Sequence, residues 1–101
     1  ILLVACGEMG RTPKLNARGG RDHWGGLAPL LFAGGGLNMG QVIGESNSDA
    51  SKPATDPITN KDLVSTVLHY LFNVEELRVI QGIPSELIRL TESGRPIRGL
   101  F

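Results

Sequence analysis

The chain has a single cysteine, Cys6, so no internal disulfide can staple it, and cysteine usage does not reveal a redox compartment. Nor is there an excess of charge of either sign, because ten Lys+Arg balance ten Asp+Glu. With no basic run to track phosphates and no acidic tail, neither nucleic acid nor an anionic membrane is an expected partner. No stretch approaches the roughly 18 consecutive apolar residues of a membrane span, and no charged lead precedes an apolar segment with a cleavage-like site. Internal repeats and heptads are absent too. At 101 residues the chain has room for one core; a domain that size buries somewhat under roughly 70% of its unfolded surface.

What is present begins abruptly. Ile1 to Ala5 is an apolar run with no lead-in, the look of a chain cut inside a domain, so residues 1–101 are expected to be the C-terminal part of a single domain whose partner is its own N-terminal remainder. Ile1 to Cys6 is apolar at every position, rich in branched residues and stopped by Gly7, which predicts a central strand buried on both faces of a parallel sheet. From Gly7 to Gly26 the periodicity vanishes into a long loop of the size usually reserved for function. Leu27 to Ala33 predicts a second strand ended by Gly34-Gly35-Gly36, and Gln41 to Gly44 a short third one. Residues 45–58, rich in Ser, Asn, Asp, Thr and Pro, are expected to form an exposed loop.

Helical signals follow. Thr59 stands three residues before Asp62, a capping-box start, and Leu63, Val64, Val67, Leu68 and Leu71 recur at helical spacing. That stripe predicts an amphipathic helix with Ser65, Thr66 and His69 on its polar side. Asn73 opens a short helical turn, Gly82-Ile83-Pro84 breaks it, and a last helix starts at Ser85. The glycines number 14, about twice the average share, and sit in turns.

The residues able to carry chemistry crowd into the 7–26 loop. Glu8 follows an apolar strand, where open α/β sheets bind ligands; it is either a metal ligand or an acid paired with Arg11. His23, between Asp22 and Trp24, is a candidate ligand, with Asp22 as a second ligand or as the group that orients the imidazole. The spacing matches no compact Cys/His metal motif. Arg11 and Arg21 present planar forks suited to phosphate, sulfate or carboxylate, or else bind Glu8 and Asp22 as salt bridges. Cys6 has no paired base and is expected to pack as a small hydrophobe, and His69 is expected to be solvated.

At Gly7-Glu8-Met9-Gly10-Arg11-Thr12-Pro13 and Gly20-Arg21-Asp22-His23-Trp24 the sequence closely resembles the bacterial domain of unknown function 1501 family, abundant in planctomycetes. The similarity continues through Gly40 to Gly44, the Asp62 to Leu71 helix and Gly94-Arg95-Pro96-Ile97, and it falls on the family's C-terminal end. That family looks like a branch of the alkaline phosphatase and sulfatase superfamily. The resemblance implies an α/β chain forming the C-terminal fragment of an alkaline-phosphatase-like three-layer fold with a mainly parallel sheet. It further implies a metal-dependent hydrolase of phosphate or sulfate esters, acting on a small anionic ester with zinc, calcium or magnesium. Glu8, His23 and Asp22 would bind the metal, Arg11 and Arg21 the anion, and the nucleophile would lie outside these residues. Met9 departs from the pattern, standing where a second metal ligand belongs although its thioether does not suit a hard cation. The departure motivates the alternative of a non-catalytic anion-binding or scaffold domain with a degenerate site. Related proteins often look as if they carry twin-arginine signals, which implies an exported or periplasmic location.

Overall fold

In the computed structural model, which describes residues 1–101, the chain runs through β1 (Leu2–Cys6), β2 (Gly10–Arg11), β3 (His23–Trp24), β4 (Leu30–Gly34), α1 (Asn60–Leu71), α2 (Val74–Leu77) and α3 (Ser85–Ser93). It is a mixed α/β chain that divides into two units, Ile1–Pro57 with Gly99–Phe101, and Ile58–Arg98. No helix is long and apolar enough to cross a membrane.

In the first unit β1 pairs with β4, with Leu3 opposite Ala33 and Ala5 opposite Leu31. The pairing is antiparallel, and so is that of β2 with β3, so the mainly parallel sheet of a three-layer fold is not what these strands form. A parallel neighbour requires a crossover, usually helical, that returns the chain to the end where the first strand began. The segment between β1 and β4 contains no helix. It folds on itself through the short β2–β3 ladder, and β4 therefore comes back in the opposite sense. The all-apolar run is also not buried on both faces. Its residues alternate between half-buried Leu2 and Val4 and exposed Leu3 and Ala5, and Cys6 is an exposed free thiol rather than a core residue.

The expected third strand at Gln41 to Gly44 does not form. Gly40 and Gly44 both take left-handed backbone angles, φ 76° and 84°, which cannot continue a pleated strand. Gln41 acts as a clamp instead: its Nε2 donates to the carbonyls of Asn38 at 2.8 Å and Gly99 at 2.6 Å. Asn38 completes the clamp by donating its backbone N–H to Leu100 O at 2.8 Å. Within residues 45–58 the single bridge is Ser46 to Pro53, closed by Asn47, whose Oδ1 accepts from the N–H groups of Ser51 and Lys52.

In the second unit α1 begins as its capping box predicts. Thr59 Oγ1 accepts from Asp62 N, and Asp62 Oδ2 accepts from Thr59 N at 2.7 Å. Asn73 caps α2 through its Oδ1, and α3 starts after Pro84. The buried side of α1, however, is centred on Ser65 and Thr66, both fully buried, while Leu71 of the aliphatic stripe is exposed. Small hydroxyl side chains allow close approach of α3 and of the segment after it, and each finds a partner. Ser65 Oγ donates to Thr91 O at 3.3 Å. Thr66 Oγ1 donates to Asp62 O at 2.6 Å and accepts from Ile97 N at 2.9 Å. Buried Val74, Leu77 and Ile97 supply this unit's apolar core.

Candidate functional site

Glu8 sits just past the end of β1, and the β2–β3 ladder delivers its two neighbours. In that ladder Arg11 lies directly opposite His23, and directly opposed residues project to the same face. Both reach one oxygen of Glu8: Arg11 NH2 lies 2.8 Å and His23 Nε2 3.2 Å from Oε1. All three side chains are about half exposed or more, at 47% for Arg11, 61% for His23 and 64% for Glu8. The Glu8 backbone N–H, assisted by the Arg11 guanidinium and the neighbouring His23 imidazole, holds the carboxyl below its ordinary range, so it is an anion at neutral pH.

The loop between β2 and β3 is built by residues that the pattern of charges did not single out. Asn16 Oδ1 accepts from the N–H groups of Arg18 and Gly20, both at 3.0 Å, and its Nδ2 donates to Asp22 Oδ1 at 3.1 Å. Thr12 ties the ends together, donating its N–H to Asp22 O and accepting from Asp22 N. The signal for this was present in Asn16-Ala17-Arg18-Gly19-Gly20, an Asx turn followed by a glycine at φ 75°. Trp24 fastens β3 to the 45–58 segment through Nε1, which donates to Ser51 O at 2.7 Å.

The five candidate residues are thus sorted by geometry. Glu8, Arg11 and His23 form one cluster. Asp22 is engaged by Asn16 and Thr12. Arg21 donates from NH1 to the carbonyls of Thr12 at 2.7 Å and Pro13 at 2.6 Å, which makes it a brace of the loop with NH2 and Nε left over. No group of three or more His, Cys, Asp and Glu side chains is arranged to hold a metal ion. The pair alone has suitable spacing: 3.2 Å between Glu8 Oε1 and His23 Nε2 is close to the edge of about 3.3 Å expected of two ligands about 2.0 Å from one tetrahedral ion. Met9, beside Glu8, is exposed and offers no hard donor.

A mixed α/β chain with a carboxylate, imidazole and guanidinium gathered at a strand end matches, over residues 1–101, the family described as protein of unknown function (DUF1501). The chain belongs to that family. No curated protein and no solved structure matches it.

Proposed function

We propose that Glu8, His23 and Arg11 are part of the site of a metal-dependent phosphate- or sulfate-ester hydrolase of alkaline-phosphatase-like type. Residues 1–101 form the C-terminal part of its domain and do not include the nucleophile. The observation that carries the proposal is the convergence of Arg11 and His23 on Glu8 Oε1. Glu8 and His23 supply two donors to a divalent cation, zinc, calcium or magnesium, and water and residues beyond this chain supply the others. Such a cation polarises an ester oxygen. Arg11, pivoting from Glu8, offers its fork to the anionic ester. Asp22, held by Asn16, fixes the loop from which His23 projects.

Elemental analysis and ester-hydrolysis assays on the intact protein test this. His23→Ala and Glu8→Gln should each lose the metal while remaining folded. Asp22→Ala, which removes the acceptor of Asn16 Nδ2 and so loosens the loop from which His23 projects, should weaken metal affinity less than His23→Ala does. A metal-free, inactive protein unchanged by His23→Ala would sink the proposal.

One observation favours a second reading, a non-catalytic anion-binding or scaffold domain. Glu8 already has two cationic or donor partners and Arg21 is committed to loop carbonyls, so the cluster is satisfied without any ion. On that reading, sulfate or phosphate binds at Arg11 with no turnover.

A further inference from the structure

Arg11 reaches Glu8 through one nitrogen: NH2 donates to Oε1 at 2.8 Å, and the guanidinium makes no other side-chain hydrogen bond within the chain. A guanidinium offers two edges of paired N–H groups, NH1 with NH2 and Nε with NH2, and a tetrahedral oxyanion is held best across one of them. Both edges include NH2. An oxyanion on either edge therefore shares that nitrogen with Glu8 and brings its own charge close to a carboxylate. On the same oxygen of Glu8, His23 Nε2 is 3.2 Å away, the spacing described above for two ligands of one ion. A divalent cation between those two atoms would take up the charge of Glu8 and repel the guanidinium, so cation and Arg11 are rivals for Glu8. The Arg11–Glu8 pair is about half exposed, and ion pairs so exposed are weak enough to be exchanged. Arg21 takes no part in this rivalry, because its NH1 is held by the carbonyls of Thr12 and Pro13.

We infer that the Arg11–Glu8 ion pair is an autoinhibitory contact: it keeps a tetrahedral oxyanion off Arg11, and a divalent cation held by Glu8 and His23 relieves it. The relief rests on the reading of Glu8 and His23 as metal ligands, whereas the inhibition rests on the ion pair alone. Cation and oxyanion then bind cooperatively, since each favours the arrangement in which Glu8 and Arg11 are apart. By linkage the factor by which the cation tightens the anion equals the factor by which the anion tightens the cation.

The test is calorimetric titration of the intact protein with sulfate at constant ionic strength, with and without zinc. In the parent, zinc should tighten sulfate binding by about fivefold or more. Glu8→Gln should bind sulfate about two- to fivefold more tightly than the parent without zinc, the change that loss of an exposed ion pair supports, and zinc should no longer alter it. Arg11→Gln should bind zinc more tightly than the parent, with no further gain from sulfate; an arginine that merely props up the loop would give the opposite sign. His23→Ala should abolish the effect of zinc on sulfate, which separates this site from zinc bound at the exposed Cys6 thiol. Sulfate affinity unchanged or weakened in Glu8→Gln would overturn the inference. Zinc bound through His23 with no change in sulfate affinity would overturn it too, while leaving the metal ligands in place. A protein that binds no zinc yet shows the Glu8→Gln gain would instead defeat the metal reading and uphold the inhibitory contact.

Discussion

Gly10→Ala should disrupt the first unit more than any other small substitution there. A Cβ at Gly10 would fall within bonding range of the Leu27 carbonyl oxygen, 2.7 Å from Trp24 O and 2.8 Å from Leu27 C. Each of these is backbone, so no side chain can swing aside. The cost is overpacking against a fixed wall, about 3 kcal/mol or more, a large share of the roughly 5–15 kcal/mol by which domains are stable. Because Gly10 is in β2, the ladder that brings Arg11 opposite His23 would come apart with it. Trp24, the sole tryptophan, is the cross-strand partner of Gly10 and reports the change directly. Urea unfolding followed by its fluorescence should show the midpoint moving sharply down or the transition disappearing. Gly25→Ala is the control, since nothing lies within 4 Å of a Cβ there; it should stay within about 0.5 kcal/mol of the parent. A Gly10→Ala protein that melts like the parent would refute the close approach.

Asp62→Ala should have a large effect in the second unit. Its Oδ2 accepts from the backbone N–H and hydroxyl of Thr59, both at 2.7 Å, and its Oδ1 accepts from Arg95 N at 2.8 Å. Removal deletes half of a capping box, worth about 1 kcal/mol, and strands the Arg95 N–H, for about 1 kcal/mol more given its contact with solvent. The same bonds set an acid dependence. The Arg95 N–H, followed by the groups of Thr59, holds the Asp62 carboxyl below its ordinary value. A depressed carboxyl stabilises the fold fully above its unfolded value, about 3.9, and that stabilisation is lost as pH falls through the lower folded value. Thermal melts should therefore fall off below about pH 4 in the parent. Asp62→Asn should be less stable at neutral pH and show a shallower acid limb. An acid limb of unchanged steepness in Asp62→Asn would show that other carboxyls dominate.

These two sites also mark what was legible in the sequence. The cap at Thr59 and Asp62 is local: four residues contain both donors and both acceptors, so the pattern shows the structure directly. The start of α2 at Asn73 is legible for the same reason. Strand direction is not local. Nothing within Ile1 to Cys6 distinguishes a parallel from an antiparallel neighbour, because that depends on how residues 7–29 fold. The helical stripe of Leu63, Val67 and Leu71 was a true periodicity, but hydroxyls that find internal partners are as buriable as methyl groups. Thr66 shows this by bonding to both Asp62 O and Ile97 N. At the candidate site the crowding of Glu8, Arg11 and His23 was readable from their common loop. The commitment of Arg21 to two carbonyls was not, since a guanidinium has the same composition whether it awaits an anion or braces a turn.

The two bonds that fasten residues 95–97 to α1 have a geometric consequence. Arg95 N and Ile97 N are two residues apart, and they meet Asp62 Oδ1 and Thr66 Oγ1, four residues apart on the helix. Two residues of stretched chain advance about 6.6 Å, and four residues of helix advance about 6 Å. The segment and the helix are nearly commensurate, like the two scales of a vernier, and they coincide at one setting. Sliding the segment by a single residue would put both amide groups out of phase at once. An apolar groove would tolerate such a slip; this ruled edge does not, so it fixes the position of the segment along α1 as well as its attachment.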